Sequence, residues 1–344
     1  SSFLLWSDMR FLHGAAFLAA RGFLHHLLDE LPNHNRLDGE LVSCWKEGPP
    51  PGEKAGISKP PQAYWTRTVW LRPFLLEFDS ISKAAKGLRA IQRNWAAYPT
   101  ILRRRTALIA QALPPLPLKA KPFPFTLPES PMGGFTLLGE NLLLGSALCS
   151  SPFPNGEFSF EEDRLGPPSR AYRKLWEALL LAKTLPAPGN FCLDAGASPG
   201  GWTWALAKLG ARVLAVDRAA LNPSVLNMPG VEYLRHDAFT LQPAECGAVD
   251  WLCSDVICYP RALYEWILLW LESDLAKNYI CTIKMQGPRF DRETTELFAR
   301  IPGSKVLHLW HNKHELTWIN LKIWRDAALS TSGARDPSPS DARV

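Results

Sequence analysis

The C-terminal half of the sequence predicts a Rossmann-like α/β fold, and three observations support this fold class. Seven short apolar runs alternate with helical patterns, which is typical of a mostly parallel sheet covered by helices. A turn rich in Gly and Pro joins the first apolar run to a helical pattern. The second run ends on an acidic residue, Asp217, about 20 positions beyond that turn. This arrangement predicts a nucleotide-binding crevice at the carboxyl ends of the strands.

The boundaries of these elements follow from apolar runs that end at turn residues. Strands are expected at 190–193, 212–216, 231–235, 249–253, 279–283, 305–310 and 316–321. Helices are expected near 169–184, 202–209, 260–272 and 291–300. Only 311–315 separates the last two strands, so we expect them to form an antiparallel hairpin beside otherwise parallel strands.

The turn itself lies in 190–202, which reads N-F-C-L-D-A-G-A-S-P-G-G-W. Its glycines would let a ligand approach the backbone closely, although an ordinary strand-to-helix connection is the alternative interpretation. Asp217 is expected to accept hydrogen bonds from ribose hydroxyls. The turn lacks the G-x-G-x-x-G spacing, so a dinucleotide is not the favoured ligand.

Composition limits the class of protein. The 344 residues, 47% of them hydrophobic, are enough for two domains. No uncharged apolar run of about 18 residues is present, and the apolar stretch at 1–23 lacks a cleavage site, so neither a membrane span nor a signal peptide is expected. Seven cysteines without a C-x-x-C pair predict reduced core residues of a cytoplasmic protein, with no disulfides and no metal site.

The charge is unevenly distributed between the two halves. Residues 1–150 contain 17 Lys and Arg against 11 Asp and Glu, whereas residues 151–344 contain 21 against 22. The excess is densest over 80–128, with nine basic residues and no acidic one. This asymmetry favours an anionic partner, most commonly nucleic acid, and a solvated basic face is the alternative.

The N-terminal region, 1–149, is expected to be a smaller α+β unit. We predict strands at 14–20 and 40–45, extended structure over 64–78 interrupted by Pro73, helices at 23–31 and 80–95, and a hairpin at 134–148. Residues 46–62 are expected to be a mobile loop, 114–131 a proline-rich connector and 151–168 a linker. A second domain is expected over 150–327, followed by a disordered tail at 328–344.

Four ionisable residues stand where they could carry chemistry. Asp255 follows the fourth predicted strand, Lys284 ends the fifth, Glu315 opens the last and Lys174 precedes the first. Groups at the carboxyl ends of parallel strands point into one crevice. Each residue alone could be a surface charge, but the aliphatic stem of Lys284 must leave a buried strand.

The turn and these four residues resemble a known family. The string D-A-G-A-S-P-G-G-W at 194–202 is similar to the S-adenosylmethionine motif of FtsJ-type RNA 2′-O-methyltransferases. Lys174, Asp255, Lys284 and Glu315 match the Lys-Asp-Lys-Glu tetrad of that family in order and context. Seven strands with a terminal antiparallel pair are also the methyltransferase variant of the Rossmann-like fold.

The resemblance extends over about 150–325 and is strongest to the subfamily that methylates a cytidine of 23S rRNA. Three stretches are similar to that subfamily: 150–156, 233–239 and 309–317. The subfamily carries a THUMP RNA-binding domain before its catalytic domain. The resemblance therefore implies a divergent THUMP-like function for 1–149.

The resemblance implies a role for each member of the tetrad. A ribose hydroxyl is a poor nucleophile and needs a base within hydrogen-bond reach. Lys284 would be that base, since burial and a second nearby cation both favour a neutral amine. Lys174 would supply the second cation, Asp255 would orient Lys284 near the methyl donor, and Glu315 would complete the network.

The implied cofactor is S-adenosylmethionine. The resemblance places it against Ser198, Pro199, Gly200, Gly201, Trp202, Asp217, Asp237 and Asp255. The turn would face the methionine portion and Asp237 would accept from the adenine amino group. A turn aspartate that caps the next segment is the alternative for Asp237. His311 and His314 could contact RNA, but exposed loop histidines are the simpler interpretation.

These inferences predict an S-adenosylmethionine-dependent RNA ribose 2′-O-methyltransferase that acts on a cytidine of large-subunit rRNA. Its RNA partner is expected to be single-stranded or locally opened, because a base inside a helix is hard to reach. A methyltransferase acting on another RNA or on a small molecule is one alternative. A non-catalytic RNA-binding protein that retains the fold is the other.

Overall fold

The computed structural model describes residues 9–46, 60–116 and 119–333. The chain divides into two compact units. The N-terminal unit is Ser1–Glu162 with His308–Trp310, and the C-terminal unit is Asp163–Leu307 with the residues from His311 onward. The division falls within the predicted linker at 151–168.

The N-terminal unit contains two sheets. Its elements are, in chain order, β1 (Met9–Phe11), β2 (His13–Ala19), α1 (Leu24–Glu30), β3 (Asn35–Arg36), β4 (Leu41–Lys46), β5 (Thr66–Trp70), β6 (Pro73–Glu77), α2 (Ile81–Ile91), β7 (Trp95–Ala97), α3 (Arg103–Gln111), β8 (Gly133–Gly139) and β9 (Leu142–Ser146). One sheet has the order β3-β4-β2-β5 and the other β1-β6-β9-β8-β7. The predicted α+β character of this region is therefore present.

Several local predictions in this unit need correction. The extended structure over 64–78 is interrupted as predicted, but the break lies at Leu71 and Arg72. Pro73 itself begins β6, a position where the missing N–H is tolerated. Helix α2, capped by Ser80, ends at Ile91 because Trp95 enters β7 and pairs with Gly133. Helix α3 was not predicted. Most of the predicted mobile loop, 47–59, lies outside the described residues.

Helices α2 and α3 cover one sheet of this unit through apolar side chains. Leu88 of α2 and Ile109 of α3 are fully buried in one cluster with Phe74 and Phe135 of the strands. The opposite faces of both helices are exposed and carry basic residues: Lys83, Lys86, Arg89, Arg93, Arg103 and Arg104. Arg93 lies just beyond the end of α2. Only the apolar faces are needed for packing, so the basic side chains remain available to solvent.

The C-terminal unit is built on one seven-stranded sheet. Its elements are α4 (Tyr172–Ala182), β10 (Phe191–Ala195), α5 (Gly201–Lys208), β11 (Arg212–Asp217), α6 (Pro223–Leu226), β12 (Val231–Arg235), α7 (Pro243–Cys246), β13 (Val249–Ser254), α8 (Pro260–Ser273), β14 (Ala276–Lys284), α9 (Arg292–Arg300), β15 (Ser304–Leu307), β16 (Glu315–Leu321) and α10 (Lys322–Gly333). The strand order is β12-β11-β10-β13-β14-β16-β15. The predicted Rossmann-like seven-stranded fold is confirmed.

The last strand of the sheet, β16, lies between β14 and β15 and is antiparallel to both. The other neighbouring strands pair in parallel. The predicted hairpin of the last two strands is present, but β15 ends at Leu307, three residues earlier than its predicted end at 310. This insertion brings the start of β16 beside the carboxyl end of β14.

The predicted disordered tail begins as helix. Helix α10 continues through 328–333, because Ala327, Ala328 and Leu329 have high helix propensity. Residues 334–344 lie outside the described residues. Across the part of the chain that the structure describes, no helix is long and apolar enough to cross a membrane.

Candidate active site

A cavity of about 420 Å³ opens at the carboxyl ends of the central strands of the C-terminal unit. It lies where the strand order reverses, on either side of β10, as expected for a ligand site in an open α/β sheet. Its lining residues are Ser169, Ala171, Asp194, Gly196, Ala197, Ser198, Pro199, Gly201, Trp202, Asp217, Asp255, Val256, Ile257 and Lys284.

The glycine turn forms one wall of this cavity, and two of its glycines are required by the backbone. Gly196 has φ +80°, and a Cβ atom there would lie 2.5 Å from the Cβ atom of Val256. Gly200 has φ +113° and directly precedes α5. Larger residues at either position would be strained, so the turn keeps its shape only with glycine.

Asp217 lies at the carboxyl end of β11 and holds the glycine turn in place. Its Oδ2 atom accepts from the backbone N–H of Ser198 at 2.9 Å, and its Oδ1 atom accepts from that of Ala219 at 2.8 Å. The carboxylate also lines the cavity, and each oxygen can accept a further hydrogen bond. This position suits the predicted contact with ribose hydroxyls.

Asp194, at the carboxyl end of β10, is the most deeply buried acidic group of the site. The Thr203 hydroxyl donates to its Oδ2 atom at 2.6 Å, but its Oδ1 atom is buried without a partner among the described residues. Burial raises the pKa of Asp194 to about 7. Asp194 is among the residues that line the cavity, so a ligand with a positive charge or a hydrogen-bond donor would suit this position.

Trp202, just beyond the glycine turn, also lines the cavity. Its side chain is buried, and its indole N–H donates to the carbonyl of Ala171 at 3.0 Å. Ser169 approaches the start of α5 so closely that a Cβ atom on Gly201 would lie 2.5 Å from its hydroxyl. The segment before α4 thus closes over the helix start, which explains the second glycine of the P-G-G-W string.

Three members of the predicted tetrad form a buried ion-pair network. Lys174 of α4 donates from Nζ to both carboxylate oxygens of Asp255, at 2.6 and 2.7 Å, and to Oε1 of Glu315 at 3.0 Å. The three side chains are 9–14% exposed. All three donors of the Lys174 ammonium are therefore engaged by carboxylates.

The fourth member, Lys284, differs from Lys174 in its access to the cavity. Its Nζ atom lies 3.2 Å from Oδ1 of Asp255, and its side chain is 17% exposed. Lys284 lines the cavity beside Asp255, whereas Lys174 does not. An incoming substrate can therefore reach the Lys284 amine but not the Lys174 amine.

The sheet explains why these side chains meet. Lys284 ends β14 and Glu315 begins β16, and the antiparallel register places the two residues directly opposite each other. Residues opposite each other across a strand pair project from the same face. Asp255 follows β13, the neighbour of β14, so the third group arrives at the same edge.

Two predicted cofactor residues do not line the cavity. Gly200 shapes the turn through its backbone only. The Asp237 carboxylate accepts from the N–H of Phe239 at 3.0 Å and caps a short 3₁₀ helix, Ala238–Thr240, so the capping alternative is realised. His311 is also not an exposed loop histidine, because its ring is bonded to Glu177 at 2.7 Å and is almost fully buried.

Other cavity residues were not identified from the sequence. Ser169 begins the string S-R-A-Y-R-K-L that resembles the family, but it was not assigned to the site. Val256 and Ile257 carry no motif signal, since their roles depend on segments that meet only in the fold. Asp194 stood inside the motif string, and its position at a strand end was the available signal. In the described part of the chain, no group of His, Cys, Asp and Glu is arranged to hold a metal ion.

The residues that line the cavity fit the chemical groups of S-adenosylmethionine. The unpartnered oxygen of Asp194 suits a cationic ligand, and the Asp217 carboxylate suits a ribose. The close approach of Val256 leaves no room for a side chain at Gly196, which lines the cavity. These features define a nucleotide-type site with two lysines and two carboxylates at one end.

Comparison with known proteins identifies the class of this unit. Residues 167–270 match the family model described as FtsJ-like methyltransferase. This part of the C-terminal unit is similar to FtsJ-like methyltransferases, and the resemblance predicted from the glycine turn is confirmed. The family match agrees with S-adenosylmethionine, the cofactor predicted from the sequence.

Several named relatives share a more particular description, "Ribosomal RNA large subunit methyltransferase M". The protein from Xylella fastidiosa is 34% identical over 198 residues, which cover 53% of this chain and 55% of that protein. The one from Halorhodospira halophila is 35% identical over 157 residues, 44% of this chain and 46% of that protein. The chain thus spans about half the length of the relatives it matches.

Solved structures add only a weak likeness. The fibrillarin pre-rRNA processing protein of Methanococcus jannaschii is 18% identical, with a TM-score of 0.33, over 45% of this chain and 76% of that protein. A likeness at this level carries no functional argument. The fold class follows instead from the strand order and the family match.

Proposed function

We propose that this protein transfers a methyl group from S-adenosylmethionine to a ribose 2′-hydroxyl of large-subunit rRNA, at a cytidine, with Lys284 as the general base. The observation that carries this proposal is the position of Lys284. Its amine is 3.2 Å from Asp255 and opens into the same cavity as the glycine turn and Asp217. A nucleotide-type cavity that ends at a lysine suits proton removal from a hydroxyl.

The methyl donor would be held by groups that line the cavity. Asp217 would accept from the ribose hydroxyls, and Asp194 would face positive charge on the ligand. Ser198, Pro199, Gly201 and Trp202 would enclose the methionine portion. Gly200 would act through the shape of the turn, and Asp237 remains the predicted partner of the adenine amino group. When bound, S-adenosylmethionine supplies an electrophilic methyl group.

The remaining chemistry belongs to the chain. Asp255 holds both lysines, so it fixes the distance between them and orients the Lys284 amine. Lys174, engaged by two carboxylates, contributes a fixed cation beside that amine and so favours the neutral form of Lys284 that a base requires. Glu315 holds Lys174 from the other side. Lys284 then takes the hydroxyl proton as the oxygen attacks.

The rRNA substrate and its cytidine come from the named relatives and the sequence resemblance. The exposed basic side chains of α2 and α3, together with Arg93 beyond the end of α2, support an RNA partner. Such groups bind phosphates independently of sequence. We assign the N-terminal unit to phosphate binding, in the manner of a divergent THUMP domain, and the whole protein to the cytoplasm.

The test is methyl transfer from labelled S-adenosylmethionine to large-subunit rRNA that lacks its modifications. Product is digested with alkali, which leaves only linkages with a methylated 2′-oxygen intact. We expect alkali-resistant label with the wild type and a loss of about 100-fold or more in kcat with Lys284→Ala, because a general base contributes that much. Mapping of the labelled nucleotide tests the cytidine assignment.

The matched control is Lys277→Ala on the same strand. Lys277 is paired with Asp250 on the surface and is remote from the cavity lining, so its loss should leave the rate unchanged. Lys284→Arg retains the charge but lacks a neutral form, and it should be as inactive as Lys284→Ala. Alkali-sensitive label would point to base methylation or another acceptor. Cofactor binding without transfer to any RNA would favour the binding-protein alternative.

A further inference from the structure

Two large apolar side chains project from the loop that follows β13, next to the proposed base. Ile257 is 77% exposed and Tyr259 is 72% exposed. Tyr259 has no side-chain hydrogen bond or ring contact within the described parts of the chain. Ile257 lines the same cavity as Asp255 and Lys284. The 255–259 loop therefore presents apolar surface at the mouth of the site.

This exposure does not come from a loosely held loop. Val256 packs against Gly196 of the glycine turn so closely that a methyl group on Gly196 would overlap it. The carbonyl of Cys258 accepts from Nε2 of Gln286 at 3.1 Å. Ile257 thus stands between two residues that are fixed by separate segments, and its side chain is nevertheless directed outward.

The same glutamine connects the loop to the proposed base. Nε2 of Gln286 also approaches the carbonyl of Lys284 at 3.4 Å. One carboxamide therefore bridges the backbone of Lys284 and the backbone next to Ile257. The apolar surface is held at a constant position relative to the Lys284 amine, which is the condition for orienting a substrate.

The chemistry of the neighbouring groups identifies what this surface would contact. Lys284 and Asp255 face the ribose hydroxyl that is to be methylated, and the base of that nucleotide is attached to the same ribose. A base that has left the helical stack needs an apolar or aromatic face to replace its lost stacking partners. Neither Ile257 nor the ring of Tyr259 offers charge, which suits the face of a base and not a phosphate.

We propose that Ile257 and Tyr259 form a contact surface for the unstacked nucleobase of the RNA nucleotide presented to Lys284. This inference rests on the proposed function and goes further by naming the residues that position the substrate. The surface binds the face of the base, so it selects single-stranded over paired RNA without reading base identity. Gln286 acts as a positioning residue, since it holds the loop without touching the RNA.

The experiment measures RNA binding without turnover. The full chain is saturated with S-adenosylhomocysteine and titrated into a fluorescently labelled, single-stranded pentacytidylate. A pentamer of the same charge that lacks all bases serves as the second probe. The variants are Ile257→Ser, Tyr259→Ala and their combination. Ile323→Ser in α10 is the matched control, because that isoleucine is 70% exposed and lies outside the cavity lining.

We expect the double variant to bind pentacytidylate about 5- to 50-fold more weakly than the wild type, the range found when a stacking partner is removed. Ile323→Ser should bind like the wild type. The wild type should bind the base-free pentamer as weakly as the double variant binds pentacytidylate. The double variant should show no further loss with the base-free probe. When it is combined with Tyr259→Ala, the substitution Ile257→Trp should restore the affinity for pentacytidylate, because tryptophan offers the base a larger face.

Several outcomes would overturn the inference. One is equal affinity of the double variant and Ile323→Ser for pentacytidylate. Another is an equal loss for both pentamers, which would indicate a general change in phosphate binding. A third is a parallel loss of S-adenosylhomocysteine affinity or of thermal stability, which would place Ile257 in cofactor binding or in the core.

Methyl transfer to rRNA separates this inference from the proposed function. If the wild type transfers methyl groups and the double variant has an unchanged KM for rRNA, the reaction stands and the contact surface is wrong. If the wild type transfers none, yet base-dependent binding needs Ile257, the contact surface stands and the reaction is wrong. Gln286→Glu should raise the KM for rRNA and leave S-adenosylhomocysteine binding unchanged.

Discussion

Lys174 and Asp255 form an ion pair in which the lysine Nζ atom contacts both carboxylate oxygens, at 2.6 and 2.7 Å. The residues are 81 positions apart in the chain, and both side chains are nearly buried. Asp255 also lies 3.2 Å from Lys284. One carboxylate therefore holds both amines of the site, and its removal should affect structure and chemistry together.

Asp255→Asn should lower both stability and activity. The substitution leaves the buried Lys174 ammonium with one carboxylate instead of two, which costs about 3 kcal/mol of unfolding free energy. We expect kcat to fall about 100-fold or more, because the Lys284 amine loses its orienting partner. Urea denaturation and methyl-transfer kinetics measure the two effects.

The control for Asp255→Asn is Asp326→Asn, which removes an exposed ion pair with Lys322 on α10. Exposed pairs of this kind contribute about 0.5 kcal/mol or less. An equal loss of stability in the two variants would contradict the buried network described for Lys174.

Gly196→Ala should displace the 255–259 loop. The new methyl group would lie 2.5 Å from Cβ and 2.8 Å from Cγ2 of Val256, at a backbone φ of +80°. We expect loss of cofactor binding and a destabilisation of about 2–4 kcal/mol, from overlap added to backbone strain. Calorimetry with S-adenosylhomocysteine and thermal unfolding would record both.

Gly189→Ala separates these two causes. Gly189 has almost the same φ, +81°, but nothing lies within 4 Å of an added Cβ atom. It should cost only the strain of about 1 kcal/mol and leave cofactor affinity unchanged. Identical behaviour of the two alanine variants would show that the Val256 contact has no influence.

Asp194 should make stability depend on pH in the direction opposite to that of a salt-bridged carboxylate. Burial raises its pKa to about 7 in the folded state, above the value of 3.8 for a free side chain. Between these values the folded protein holds a proton that the unfolded chain releases, so rising pH favours unfolding. The contribution of protonated Asp194 to the free energy of unfolding is fully present below pH 3.8 and is lost as the pH rises through about 7.

The measurement is urea denaturation of the wild type and Asp194→Asn from pH 4 to pH 8.5. Relative to the variant, the wild type should lose on the order of a few kcal/mol as the pH rises to about 7, and nothing further above it. A difference between the two proteins that stays constant over this range would mean that Asp194 is already ionised in the fold.

Asp217→Asn should weaken cofactor binding. The carboxylate accepts two backbone N–H groups and has capacity left for ribose hydroxyls, and hydrogen bonds to a charged acceptor are strong. We expect a 10- to 100-fold higher Kd for S-adenosylhomocysteine, about 1.4–2.8 kcal/mol. The deoxy analogue of the ligand should bind wild type and variant with similar affinity.

A suitable control for Asp217→Asn is Asp250→Asn. Asp250 also accepts a backbone N–H, from Phe191 at 2.9 Å, but does not line the cavity. Loss of cofactor affinity in both variants would indicate that general damage to the sheet, and not the ribose contact, is responsible.

Much of the C-terminal unit could be predicted because its signals are local. Each core strand is a short apolar run, and the glycine turn and the four tetrad residues stand at strand ends or at a helix. Lys284 and Glu315 were predicted as site residues in this way, and the strand register places them opposite each other. The end of helix α10 was missed because the Ser, Pro, Asp and Arg residues of 328–344 predicted disorder, whereas the alanines favoured helix.

The features that sequence reasoning missed depend on partners far away in the chain. His311 is buried because Glu177, 134 residues earlier, accepts from it. The backbone next to Ile257 is fixed because Gln286 donates to the carbonyl of Cys258, 28 residues earlier. Asp237 shows the reverse case, since a local bond to Phe239 determines its conformation. Pair contacts of this range leave no trace in periodicity or spacing.

The position of β16 between β14 and β15 has a consequence for the order of biosynthesis. Translation completes β14 and β15 before β16 exists, yet β16 must enter between them and bring Glu315 to Lys174. Until then β14 has an unpaired edge, and the ammonium of Lys174 lacks one of its two carboxylates. A nascent chain released from the exit tunnel only as far as β15 would therefore hold most of the cofactor cavity but an incomplete ion-pair network. The proposed methyl transfer would begin only when the final strand has been inserted.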